Sequence, residues 1–303
     1  MFEGFQEQRF DLGEAEIFAR VGGEGPPLLL LHGYPQTHAT WRLVAPELAR
    51  DFTLVVPDLR GYGLSRGPGP DPEHRGHSKR VMAADMVAVM ERLGFLQFFL
   101  AGHDRGGRVA YRLCLDHPDR ALAFAAVDLV PTVEVWEAMD AKAAIGAWHW
   151  PFLAQPAPLP ETAIAAAPEA IVGSFLTGWA GRPDALAPEA LALYLGQFAR
   201  PEVIVATCED YRAGAGTDWR LDREDRAAGR RLACPVLAAW GEAYLGRGGE
   251  TPAAVWRRWA DKVEALPLPC GHFLQEEAPE ALSAALKRFF LAKGPAKPQV
   301  IER

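Results

Sequence analysis

Glycines enclose a short polar turn in the segment Gly102-His103-Asp104-Arg105-Gly106, which follows the apolar run Phe98-Phe99-Leu100-Ala101 and precedes a stretch with helical spacing. Small residues around a sharp strand-to-helix turn let the middle side chain stand exposed in a strained backbone conformation. The pattern presents Asp104 as a nucleophile, although a bare G-x-D-x-G string also fits a helix-capping aspartate. Two companions argue for the nucleophile, because the order is nucleophile, acid, histidine. His272, in Pro269-Cys270-Gly271-His272-Phe273, lies between the last expected strand and the last expected helix and is the candidate general base. The acid has two candidates. Asp128 ends the apolar run Leu122–Val127 and needs a buried partner to offset its desolvation, whereas Glu242 follows the run Pro235–Trp240. The turn His32-Gly33-Tyr34-Pro35 comes directly after Leu28–Leu31. It offers the backbone N–H of Tyr34 as one donor of an oxyanion hole, with the N–H of Arg105 as the other.

A carboxylate nucleophile narrows the chemistry. Attack on an ester or amide would give a mixed anhydride more reactive than the starting material, whereas attack on saturated carbon gives an ordinary alkyl ester. Water activated by His272 can then hydrolyse that ester. The leaving groups that suit are a halide or an epoxide oxygen. Arg105 and Arg108 lie one and four residues after Asp104, so both reach toward the elbow from the first helical turn. Two guanidinium groups and a helix N-terminus exceed what Asp104 alone balances. A small carboxylic acid, with its α-carbon aimed at Asp104, supplies the second anion. Downstream, Trp148-His149-Trp150 and Cys208-Glu209-Asp210-Tyr211-Arg212 carry compact N–H and O–H donors suited to a departing halide, with Trp148 read as core packing.

The elements that must position these residues read as α/β. Residues 1–130 alternate strands and helices, with strands at Phe5–Leu12, Glu14–Val21, Pro27–Leu31, Thr53–Val56, Phe98–Ala101 and Leu122–Leu129. Helices are expected at Trp41–Arg50, Lys79–Leu93 and Gly107–Asp116. Residues 131–225 are rich in Pro, Ala and Trp and read as a helical lid. Residues 226–303 complete the sheet, with strands Pro235–Trp240 and Val263–Leu266, helices Thr251–Ala260 and Pro279–Leu291, and a frayed tail from Lys293. The expected fold is thus a mostly parallel sheet flanked by helices, interrupted by a cap. A length of 303 residues agrees with about 150 per packing unit. A net charge of −7, with basic clusters that lack interleaved aromatics, argues against nucleic acid. No apolar run is long enough for a membrane helix, and the acidic start Met1-Phe2-Glu3-Gly4 is unlike a secretory leader, so a cytoplasmic location is expected. Cys114, Cys208, Cys234 and Cys270 fit neither a zinc pair nor a redox C-x-x-C and read as core fillers; no metal is expected.

Taken together, the sequence resembles the fluoroacetate dehalogenases, haloacetate-cleaving enzymes of the α/β-hydrolase fold. The resemblance runs over nearly the whole chain, with His103-Asp104-Arg105-Gly106-Gly107-Arg108 and His149-Trp150 its most specific elements. It implies Asp104 as nucleophile, His272 as base and Asp128 rather than Glu242 as the partner of that base. It makes Arg105 and Arg108 a carboxylate clamp and His149, Trp150 and Tyr211 a halide cradle, in a homodimer that needs no cofactor. Tyr34 stands where these enzymes often have Phe, and Gly107 where Ala is common. Two rivals are carried forward. A soluble epoxide hydrolase would need two lid tyrosines, for which Tyr194 and Tyr211 are the candidates; a ligand receptor on the same scaffold would need no turnover.

Overall fold

The computed structural model describes residues 1–182 and 184–294. Its frame is an eight-stranded sheet made of β1 (Gln6–Asp11), β2 (Glu16–Gly22), β3 (Pro27–Leu31), β4 (Thr53–Pro57), β5 (Phe98–His103), β6 (Ala121–Val127), β7 (Val236–Gly241) and β8 (Val263–Leu268). The order is β1-β2-β4-β3-β5-β6-β7-β8. The β1–β2 and β2–β4 pairs are antiparallel, and every pair from β4 to β8 is parallel. Every residue of β3, β5 and β7 is buried, as continuous apolar runs require when both faces of a sheet are covered. Alternation sends Leu29 and Leu31 into one core cluster and Leu28 and Leu30 into the other. The helix Pro279–Leu291 packs Leu282, Leu286 and Phe290 into the second cluster.

After β3 the chain winds to one side, to β4, and then returns to place β5 on the other side of β3. Ligands of open α/β sheets bind where the winding reverses, beyond the carboxyl ends of the strands. In that crevice Leu31 pairs with Gly102, so the turn starting at His32 and the elbow at Asp104 emerge side by side. Between β6 and β7 the described residues form helices and no strand, running from Thr132–Glu137 to Trp219–Ala227. One of these, Pro201–Ala213, passes through a wide π turn at Gly214–Asp218 into Trp219–Ala227.

Three elements differ from expectation. The elbow helix spans Asp104–Asp116, so the nucleophile candidate is itself the first helical residue. The stretch Trp41–Arg50 divides into a 3₁₀ turn, His38–Leu43, and a short helix, Ala45–Leu48, at whose start Pro46 lacks the N–H that would continue the first turn. The helix expected to end at Ala260 stops at Trp256. All four cysteines are free and buried. Of the tail expected to fray from Lys293, residues 295–303 lie outside the described residues, and Lys293 itself donates its ammonium to Glu264 at 2.8 Å. No helix among the described residues is long and apolar enough to cross a membrane.

Candidate active site

Asp104 follows β5 with φ of +45°, the left-handed strain that a nucleophile elbow imposes. Its carboxylate is buried, and Oδ1 accepts the backbone N–H of Tyr34 at 3.0 Å. That contact exists because Gly33 has no side chain: a Cβ there would lie 2.5 Å from the Cβ of Asp104. Burial raises the Asp104 pKa, but His272, Arg108, His103 and Arg105 together hold it below the usual carboxylate range. The group is therefore an anion at neutral pH, with one oxygen held in a donor pocket.

Asp128 occupies the matching position one strand over. It follows Val127, the register partner of His103, and also has positive φ, +53°. Its Oδ1 accepts the Gly241 N–H at 2.8 Å, and its Oδ2 lies 2.6 Å from His272 Nδ1. Glu242, the other candidate acid, is exposed and among the described residues makes only a backbone bond, its N–H donating to the Leu268 carbonyl. Burial lowers the pKa of His272 to about 4 despite the attraction of Asp104, so its imidazole is neutral and able to accept a proton at pH 7. Burial drives the Asp128 carboxyl upward, opposed by the Gly241 N–H.

Arg105 and Arg108 both reach the elbow, but Arg105 is not free as the sequence reading had it. Its Nε donates to Asp210 Oδ2 at 3.0 Å, and its Nη2 to Asp210 Oδ1 at 2.6 Å and to the Asp210 carbonyl at 2.9 Å. The second anion inferred from charge balance is thus in part a protein carboxylate, and among the described residues Nη1 alone keeps an unused donor. Arg108 donates Nη1 to the Val130 carbonyl at 2.7 Å and leaves Nε unpaired. Aromatic rings hold both guanidiniums, Arg105 4.2 Å from the centroid of Tyr211 and Arg108 4.7 Å from that of Trp150. His149, Trp150 and Tyr211 come together, with ring centroids 5.8–5.9 Å from Tyr211 to each of the other two. Among the described residues His149 Nδ1 and the Tyr211 hydroxyl are buried without a partner. Burial lowers the pKa of His149 to about 3, so its ring is neutral and carries one N–H. Trp148 is 41% exposed and packs on Phe152 and Phe175, which corrects its reading as a core residue. The two lid tyrosines part company: Tyr194 donates its hydroxyl to Glu276 and takes a bond from Arg42, away from the elbow.

A family model described as the alpha/beta hydrolase fold matches residues 26–279. The chain belongs to the α/β hydrolases. It is 43% identical over 290 residues to a fluoroacetate dehalogenase from Burkholderia sp, covering 95% of each chain. It is 32% identical over 275 residues to a soluble epoxide hydrolase from Corynebacterium sp. (strain C12), covering 89% of this chain and 92% of that one. Among solved structures, a Nostoc sp PCC 7120 protein described as an α/β hydrolase superposes with a TM-score of 0.93 at 48% identity, over 96% of this chain and 99% of the other.

Several residues of the site escaped sequence reasoning. Trp179 lies 4.5 Å from His149 and 5.4 Å from His272 between ring centroids, and its carbonyl accepts the His272 N–H at 2.9 Å. Tyr244, from the glycine-rich loop at residues 242–250, places its ring 4.5 Å from that of His272. Glu277 ties the histidine loop to the lid by accepting the N–H groups of Gly271, Phe273 and Gly181 at 2.8–3.1 Å. His103 is bonded through Nε2 to the His272 carbonyl at 2.9 Å. A positional signal existed for His103, which flanks Asp104, and a weaker one for Tyr244, two residues after Glu242.

Proposed function

We propose that this protein hydrolyses small 2-haloacids, converting fluoroacetate and water to glycolate and fluoride. The observation that carries the reading is the pairing of a buried, anionic Asp104 with the unused Arg105 Nη1 and Arg108 Nε donors, an arrangement that a neutral epoxide does not use. With Oδ1 of Asp104 held by Tyr34, Oδ2 attacks the α-carbon, the carbon–halogen bond breaks, and the halide departs toward His149, Trp150 and Tyr211. Neutral His272 then takes a proton from water, the hydroxide adds to Cγ of Asp104, and negative charge collects on the oxygen held by the Tyr34 N–H, with the Arg105 N–H as the second donor the reading assigns to it. Collapse expels glycolate, which receives the proton from His272; the Asp104 carboxylic acid so formed passes its remaining proton through His272 to solvent, which restores the carboxylate. Asp128 stabilises the transient imidazolium. In this reading residues 131–225 act as the cap that excludes water, the resemblance extends it to a homodimer, and the sequence expectation of a cytoplasmic location is carried with it.

The alternative, epoxide hydrolysis by the same nucleophile, loses Tyr194 as a proton donor but retains a specific support. The Tyr34 hydroxyl is buried without a partner among the described residues, and its ring lies 5.4 Å from that of Tyr211. Incubation with fluoroacetate, followed with a fluoride electrode, and with styrene oxide, followed by chromatography, separates the two. Fluoride release without diol is expected; diol without fluoride reverses the ranking.

A further inference from the structure

Beneath the proposed carboxylate clamp lies a buried ionic cluster. Asp210, wholly inaccessible, receives Arg105 through three hydrogen bonds, the Tyr62 hydroxyl at 2.8 Å on Oδ2, and the Lys79 ammonium on Oδ1. Lys79 is the first residue of the helix Lys79–Arg92, which Ser78 caps, and it is 1% exposed. Its backbone N–H donates to Asp218 Oδ1 at 2.9 Å, and its ammonium stands 3.8 Å from Asp218 Oδ2. Asp218 forms no ion pair with Arg105 among the described residues. Burial and the neighbouring Arg105 lower the Lys79 pKa, while Asp218 opposes them. Gly214 lets the cluster close over the site, since a Cβ there would stand 3.1 Å from Arg105 Nη2.

The charge balance of this cluster decides what Arg105 can do. Arg105 and Lys79 offset Asp210 and Asp218, so an anionic ligand approaching Arg105 Nη1 meets a neutral cluster with one N–H group still unpaired among the described residues. Without Lys79, two buried carboxylates face one guanidinium, and the cluster carries net negative charge under the place where a substrate anion must sit. At low dielectric that repulsion is poorly screened. We propose that Lys79 is a specificity-determining residue: by neutralising Asp210 it frees Arg105 to serve a substrate carboxylate, and so it sets the preference for an anionic over a neutral haloalkyl substrate. The proposal rests on the haloacid reading. Lys79 touches no substrate atom and acts through Asp210 and Arg105.

Chloroacetate and chloroacetamide share carbon skeleton and leaving group and differ in charge. In Lys79→Met, KM for chloroacetate is expected to rise by about tenfold, the change that about 1.4 kcal/mol produces, while KM for chloroacetamide stays within roughly twofold. In Lys79→Met/Asp210→Asn both charges are gone, Arg105 and Asp218 balance, and KM for chloroacetate is expected to return to within about threefold of the parent. A rise for both substrates alike, no rise for either, or a double variant no better than the single one overturns the proposal. If Lys79→Met does not fold, the double variant carries the test, and loss of anion preference there refutes it. Should the parent release chloride from neither compound, the haloacid reading falls. Calorimetric affinities for acetate and acetamide then read the effect of Lys79 without turnover, and an unchanged acetate affinity in the variant overturns it.

Discussion

An aspartate with one oxygen held by a backbone N–H and no hydrogen bond to the other among the described residues is divided, in the proposed mechanism, into a spectator and an attacking atom. Asp104 has this form, with Tyr34 holding Oδ1. The oxygen left as carbonyl in an alkyl ester then sits where negative charge develops during hydrolysis. Arg108 acquires more weight than the sequence assigned it, because Asp210 occupies most of Arg105. Arg108 spends Nη1 on the Val130 carbonyl and keeps Nε for a ligand, two directions that one ammonium cannot serve. Arg108→Lys is expected to lower kcat/KM for haloacetate by about a hundredfold in a folded protein, read as halide release; equal activity would count against a carboxylate clamp. The residues that reached their expected neighbourhood, Asp104, Asp128, His272, Arg105, Arg108, His149, Trp150 and Tyr211, sit in short motifs whose spacing carries their chemistry. Lys79 was not legible because nothing near it in sequence marks a buried lysine. Its partner Asp210 is 131 residues away, and a lysine opening a helix ordinarily reads as solvated.

Among the elements, the β5 elbow works because backbone approaches backbone where any side chain would intervene. A Cβ on Gly102 would lie 2.6 Å from the Cα of Gly107, and one on Gly106 would lie 2.2 Å from the His32 carbonyl oxygen. Neither obstacle is a flexible side-chain end, so neither can yield cheaply. Gly106→Ala is expected to destabilise the protein by about 2–4 kcal/mol in urea unfolding, whereas Gly69→Ala, with no atom within 4 Å of its added carbon, is expected to fall within about 0.5 kcal/mol of the parent. The strands were legible because apolar runs such as Leu28–Leu31 demand burial on both faces. The loops were not. The ring of Tyr244 meets His272, and the carbonyl of Trp179 holds the His272 backbone, through contacts that close only when distant segments dock.

For the whole molecule, burial of histidines weakens the fold in acid, while the carboxyls of Asp128, Asp85, Asp222 and Glu276, which burial raises, act in the opposite sense. His272 and His77 are lowered to about 4, His103 and His149 to about 3, and His32 below its ordinary value of 6.5, in each case chiefly by desolvation. The unfolded chain binds protons on these groups between pH 6.5 and about 4, while the folded chain does not. Their stabilisation is therefore complete above pH 6.5 and lost as pH falls through that window, with a slope of roughly 1.4 kcal/mol per pH unit for each histidine fully inside it. Denaturant titrations between pH 7 and pH 5 are expected to show a smaller loss of stability in His77→Asn than in the parent, and equal slopes would contradict the histidine contribution. Sequence placed the helical stretch between β6 and β7 but could not place it in space. That Asp210 of this stretch would complete an ionic cluster begun at Lys79 follows from docking, not from pattern.

The covalent stage is tested most directly by single turnover in ¹⁸O-labelled water with enzyme in excess over chloroacetate. Label is expected in the Asp104 carboxylate, with the first glycolate released unlabelled, because water attacks the ester carbonyl and the oxygen in the product comes from Asp104. Label in the first glycolate, with none in the protein, would mean that water displaces the halide itself, and Asp104 would lose its role as nucleophile.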